Sequence, residues 1–198
     1  MVNIYNKRNF TKTCLLTCTG LVATSYKCSS RSWFNFFREE EKVVGIPDEW
    51  RSIAGEDVDK YARYILSYNF KNITPRMVLS PHFKSRRGVK NTLPPKKMWK
   101  KIIPTLKAVD ELCDQIGLPI DEMLSAYRCP DYNKAVHGNR GSYHMTNQAI
   151  DVVFKRTSAW RVAKAAKHLR DDKKAFKGGI GLYRGFVHID TRGKNVNW

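Results

Sequence analysis

Ser142-Tyr143-His144-Met145-Thr146-Asn147-Gln148-Ala149-Ile150-Asp151-Val152-Val153-Phe154 joins a polar turn to an apolar run. The run Gln148 to Phe154 is rich in β-branched and aromatic residues and predicts a strand. Ser142-Tyr143-His144 and Ala149-Ile150-Asp151 frame the turn, with His144 and Asp151 seven positions apart. A later apolar segment, Phe186-Val187-His188-Ile189-Asp190, carries a second histidine at its centre. Short strands of this kind can bring an imidazole, a carboxylate and a second imidazole to one point. That trio suits a catalytic zinc ion with its fourth position open to water, and zinc lowers the pKa of such a water to roughly 7. By spacing alone two readings stand, metal ligands or ordinary hydrogen-bonded side chains.

Outward from this stretch the chain alternates between the two periodicities. Met123 to Tyr127 predicts a strand entering the same region, and Gly178-Gly179-Ile180-Gly181 a turn or bulge before the last strand. Val58, Tyr61, Ala62, Ile65 and Leu66 recur at helical spacing within Asp57 to Tyr68. A longer helix is expected from Lys96 to Ile116, kinked or divided at Pro104 and ended by Gly117. Ser158 is placed to cap a helix to Leu169 that turns Val162, Ala163, Ala166 and Leu169 inward. Together these elements predict an α+β fold, a small antiparallel or mixed sheet with helices packed on it.

The 198 residues include 36 Lys and Arg against 18 Asp and Glu, a formal net charge of +18. Such a balance points to an acidic partner, a nucleic acid or an anionic surface polymer. No helix-turn-helix or zinc-finger signature accompanies it, so nucleic acid is not expected. No apolar run reaches the ~18 residues of a spanning helix, which argues against an integral membrane protein. Lys7, Arg8 and Lys12 precede an uncharged stretch from Thr13 to Tyr26 with small residues at Ala23-Thr24-Ser25, the layout of an export signal. Cys14, Cys18 and Cys28 fall in that segment. Cys113 and Cys129 lie in the body, where pairing and two buried thiols are both open.

Ser125-Ala126-Tyr127-Arg128, Tyr132-Asn133, Ser142-x-His144-x6-Asp151, Gly179-Ile180-Gly181-x-Tyr183 and Phe186-Val187-His188-Ile189-Asp190, in this order, resemble the zinc D-alanyl-D-alanine peptidase family. The branch with exported cell-wall endopeptidases is the most similar in wording. The resemblance runs from about Leu93 to Trp198, and the first ninety residues contribute nothing to it. It implies a hedgehog/D-Ala-D-Ala-peptidase-like fold, zinc on His144, Asp151 and His188, and Arg128 facing the substrate. Tyr127 and Ser142 would lie near the substrate, which would be peptidoglycan peptides. The implied division is an export segment at 1–30, an extension with one helix at 31–92, and a zinc peptidase domain at 93–198. Anionic envelope polymers would then account for the basic surface. A non-catalytic wall-binding module that keeps zinc is the alternative.

Two departures from the family's wording bear on the chemistry. Asn147 stands where relatives have glycine, and asparagine tolerates the left-handed conformation a tight turn needs. Gly185 and Phe186 occupy the positions where many relatives carry a general base, and neither can take a proton. Asp190 is the nearest replacement. Alternation puts it on the face of His188, roughly 7 Å along the strand, as a base or as an orienter of that imidazole. His137, between glycine-rich turns, is the next candidate. His82 and His168 read as surface residues.

Overall fold

Hydrophobic alternation over very short strands builds the sheet on which the site stands. The computed structural model describes residues 42–198, so the expected export segment and its three cysteines lie outside the described residues. In chain order these residues form helices α1 (Asp48–Ala54), α2 (Asp57–Leu66) and α3 (Pro75–Leu79) and a hairpin of β1 (Ser85–Arg86) and β2 (Val89–Lys90). Next come α4 (Ile103–Ile116), β3 (Ile120–Ser125), α5 (Pro130–Ala135), β4 (Ala149–Phe154) and α6 (Ala159–Lys167). The chain closes with β5 (Gly179–Leu182), β6 (Val187–Asp190) and β7 (Val196–Asn197). The large sheet has the order β3-β4-β6-β5-β7, antiparallel except where β7 runs parallel to β5. The architecture is α+β, with a small mixed sheet as expected.

Local chemistry sets the element ends. Pro104 sits in the first turn of α4, so the long helix is divided into a 3₁₀ segment, Lys96–Lys101, and α4. Gly117 closes α4 in the left-handed conformation (φ 70°), its N–H donating to the Cys113 carbonyl at 2.9 Å. The Ser158 hydroxyl caps α6 by accepting from the Arg161 N–H.

Three expectations are corrected here. Gly178 to Gly181 is not a turn, because residues 179–182 are the strand β5. A Cβ on Gly181 would come within 2.7 Å of the Trp198 indole, and one on Gly179 within 2.5 Å of the Asp190 carboxylate. These glycines make room for side chains beside the strand, not for a bend. Residues 42–92 hold three helices where one was expected, and Val58, Tyr61, Ile65, Val78 and Leu79 share one core with Leu106, Ile150 and Ile189. The third correction is His82, which is buried (1% exposed) rather than on the surface, while His168 is exposed and paired with Asp172. Cys113 and Cys129 are both free thiols, and burial pushes Cys113 up to about 12.

His82 makes folding sensitive to acid. Its Nδ1 bonds the Leu79 carbonyl at 3.1 Å, and its Nε2 is buried without a partner among the described residues. Its ring neighbours, Tyr61 and Tyr127, carry no charge to offset a proton there. Burial therefore lowers its pKa to about 3, with the Leu79 carbonyl opposing only weakly. The unfolded chain binds this proton near pH 6.5 and the folded chain does not, so stability is complete above about pH 6.5 and falls as the pH drops toward 3. Acidification to about pH 4.5 should cost on the order of 2 kcal/mol through this residue alone. Denaturant titrations at about pH 7 and 4.5 should show that loss reduced by a similar amount in His82→Gln, and an equal loss in both proteins would refute the assignment.

Candidate metal centre

Strand register brings two of the three expected ligands together. In the β4–β6 ladder Asp151 stands directly opposite His188, so their side chains leave the same face of the sheet about 5 Å apart. His144 arrives from the turn before β4. Asn147 supports that turn in the left-handed conformation (φ 56°), and its side-chain amide donates to the Met98 carbonyl at 3.0 Å. Asparagine thus replaces glycine at no conformational loss and adds a tie to the 3₁₀ segment. His188 Nδ1 lies 2.8 Å from Asp151 Oδ1, and His144 Nε2 lies 3.2 Å from both of those atoms. All three side chains are buried, and one donor atom of each lies within 4.8 Å of the others.

The outer atoms of the two rings show what the inner ones are for. His144 Nδ1 faces the Ala126 carbonyl at 2.6 Å, and His188 Nε2 faces Asp190 Oδ2 at 3.0 Å. A carbonyl and a carboxylate only accept, so each ring places its proton outward and turns a lone pair inward. Two imidazole lone pairs and a carboxylate oxygen then converge with no proton among them. A cation satisfies that arrangement. Burial disfavours charge on His188, but Asp151 and Asp190 outweigh it and raise its pKa, so a proton can occupy the same place. Burial instead lowers the pKa of His144. The donor set of two nitrogens and one oxygen fits zinc.

Arg128 stands beside the ligands. Its Nη2 donates to Asp151 Oδ2 at 2.5 Å and its Nε to Ser125 Oγ at 2.6 Å. The Asp151 carboxylate is therefore divided, one oxygen to the guanidinium and one to the histidines. Burial pushes this carboxyl up, yet His144, His188 and Arg128 together hold it well below the usual range. Buried Asn91 brackets Arg128, accepting from the Cys129 N–H at 3.0 Å and donating to the Tyr127 carbonyl at 2.8 Å. Nothing in the sequence pattern marked Asn91, because the partners that tie it to Arg128's segment are 36 and 38 positions away.

The structure bears on the two readings open for Asp190 and on the placement of Tyr127. Asp190 does not face the cleft: it is fully buried behind His188. Its Oδ1 accepts from the Gly179 N–H at 3.0 Å and from Arg192 Nε at 2.8 Å, and its Oδ2 accepts from Arg192 Nη2 at 2.5 Å as well as facing His188. Burial raises this carboxyl, but Arg192, His188 and the backbone donors pull it further down. A carboxylate so occupied is placed to orient an imidazole, not to accept a proton from water. Tyr127 is also absent from the cleft, being buried with its ring toward His82. Ser142 and His137 do line it.

That cleft, about 600 Å³, has an aromatic wall that sequence reading missed. Arg192 lies 4.3 Å from the Tyr143 ring centre and 5.0 Å from that of Trp198, within cation–π range of both. Trp198 stands 5.2 Å from the His188 ring and donates through Nε1 to the Tyr183 hydroxyl at 2.9 Å. The available signal was Gly179 and Gly181, whose missing side chains leave room for this indole.

The family model described as Peptidase M15 matches residues 73–190, more than half of the chain. The chain belongs to the M15 peptidase family. Searches of curated proteins and of solved structures found no match to this M15 peptidase. The match begins about twenty residues before Leu93, where the resemblance was expected to start, and takes in α3 and the β1–β2 hairpin. Membership makes the protein a metallopeptidase, and the buried His144, Asp151 and His188 are the group that can hold its metal.

Replacing Asp190 by Asn should leave the site intact in outline but loosen His188. Zinc affinity is expected to fall roughly 10–100-fold, with turnover at saturating zinc close to wild type. Competition titration with a chromogenic chelator measures the first quantity. Unchanged affinity with turnover lowered at saturating metal would instead make Asp190 the base.

Proposed function

We propose that this M15 peptidase is an exported zinc enzyme that hydrolyses peptide bonds in peptidoglycan, as a D-Ala-D-Ala carboxypeptidase or a cross-link endopeptidase. The observation that carries this reading is the inward convergence of His144 Nε2, Asp151 Oδ1 and His188 Nδ1 with both outer ring nitrogens already engaged. Zinc bound there supplies Lewis acidity for a scissile carbonyl and for an attacking water.

The chain's own groups do the rest. Arg128 uses Nε and Nη2 internally, and Nη1 has no hydrogen-bond partner among the described residues. That nitrogen holds a carbonyl or carboxylate of the peptide, and its direction is fixed by the other two contacts. His137, exposed and lining the cleft, is the imidazole there that is not a ligand. It accepts the proton lost by water and returns it to the leaving amine. Tyr143, Tyr183 and Trp198 offer flat apolar faces for the peptide. Among the described residues no helix is long and apolar enough to cross a membrane. The net charge of +18 supports attraction to anionic envelope polymers.

One observation favours the second reading, a wall-binding module that keeps zinc without cutting. Among the described residues Asp151 is the one carboxylate lining the cleft, and both its oxygens are engaged. Digestion of purified peptidoglycan with zinc-loaded protein, followed by mass spectrometry, separates the two. New peptide termini that disappear with chelator support the peptidase, and zinc-dependent retention on the wall without new termini supports the module.

Two substitutions test the assigned roles. Arg128→Lys replaces a planar fork by a point charge that cannot hold Ser125, Asp151 and a peptide together, so kcat/KM should fall at least about tenfold with zinc content unchanged. His137→Gln should lower kcat by roughly 10²–10⁴ at saturating zinc. Wild-type kinetics in either variant would remove that residue from the chemistry.

A further inference from the structure

Beside the metal cleft a second one opens, about 480 Å³, and the two share Arg128, Val136, His137, Asp151 and Phe186. Its far side is formed by Arg86, at the end of β1. The hairpin is turned tightly by Arg87 and Gly88, both at positive φ (52° and 78°), and packs on α5, which fixes where Arg86 can reach.

Arg86 is exposed, and its guanidinium has no ion pair or hydrogen bond among the described residues. Lys84, its neighbour on the same strand-and-turn unit, is by contrast already paired with Glu122 at 2.5 Å and with the Leu124 carbonyl. Among the described residues the sole carboxylate lining the second cleft is Asp151, whose oxygens are taken by Arg128 and the histidines. Burial raises the pKa of Tyr132, which lines the same cleft, and the charges of Arg128 and Arg86 both oppose that shift. The cleft therefore holds one engaged and one unengaged guanidinium against an apolar side made by Leu124, Ala135 and Phe186. Such a setting favours a carboxylate carried on an apolar stem, which pairs with the free guanidinium through a charge-assisted hydrogen bond while the stem covers the apolar side.

We propose that the second cleft is a subsite for an acidic residue of the peptide substrate, whose carboxylate is bound by Arg86 while Arg128 holds the backbone beside the metal ligands. The shared residues make the two clefts adjoin, so one peptide can occupy both, with its acid in the second cleft and the bond to be cut in the first. This inference rests on the peptidase reading and narrows its substrate class to acidic peptides.

The test uses two cell-wall stem peptides that differ only at the glutamyl residue, one with a free carboxylate and one with the amide. Wild-type protein should prefer the acid by about tenfold in kcat/KM, and Arg86→Gln should collapse that ratio toward one. Arg87→Gln makes the same change in net charge outside the cleft and should keep the ratio. No preference in the wild type, or an equal loss in both variants, would overturn the subsite, the latter by showing a general field effect. If neither peptide is cut, the peptidase reading fails, and calorimetric binding of the same pair still decides the subsite. A preference for the acid that Arg86→Gln abolishes upholds it, and equal binding overturns it.

Discussion

The pairing of Asp151 opposite His188 is the constraint on which the rest of the structure depends. A slip of one residue between β4 and β6 would turn one ligand into the core and leave the other facing a valine or isoleucine. The register is held by the opposite face, where Ile150, Val152, Val187 and Ile189 are almost fully buried in the core. Exposing any of them to water would cost roughly 1.5–3 kcal/mol. The polar site thus inherits its precision from apolar packing beneath it. The same row extends across the sheet, with Ser125 opposite Asp151 on one side and Gly181 opposite His188 on the other. One end of this row receives Arg128, and the other receives the Trp198 indole.

Orientation of His188 depends on a second set of contacts beside it on the same face of the sheet. Burying a carboxylate such as Asp190 costs several kcal/mol unless its oxygens are satisfied. Arg192 and the Gly179 N–H satisfy them, leaving one direction open toward the imidazole. Gly179 is needed twice in this arrangement, as a donor and as the space the carboxylate occupies. Arg170, fully buried, donates to the carbonyls of Gly178 and Val196 at 3.0 Å each and ties β7 beside β5. Trp198 is held against His188 by the same tie.

Local signals in the sequence reached the elements and the ligands. Helix caps at Ser158 and Gly117, the division at Pro104 and the left-handed turn at Asn147 all depend on residues within one turn of each other, so they are legible in order. His144, Asp151 and His188 were legible because a sheet repeats every two residues and because their wording matches a family. Asp190 marks the limit. Alternation gave its face correctly, but its role is decided by Arg192 and Gly179, which determine whether the carboxylate meets the cleft or the core. His82 failed for a similar reason: one histidine next to a short apolar run gives no sign that Tyr61, 21 positions earlier, will pack on it. The segment before Leu93 was misread as an extension because its helices are short and bury their residues only against partners far along the chain.

The charge around the ligands bears on what the cleft can accept. Asp151 and Asp190 are each matched by one guanidinium, Arg128 and Arg192, so the protein's own groups at the site are close to neutral. A divalent cation on His144, Asp151 and His188 would leave the cleft with excess positive charge. An additional carboxylate aimed into the cleft would cancel part of it, and the residues preceding His188, Gly185 and Phe186, supply none. The excess is therefore directed at whatever the cleft binds. It favours a substrate that is already anionic, and it favours still more the oxyanion that develops when a carbonyl is attacked, since fixed charges in a partly dry site need no rearrangement to meet it. The lack of an acidic group at Gly185 and Phe186 and the proposed preference for an acidic group on the peptide are, on this argument, two consequences of one electrostatic balance.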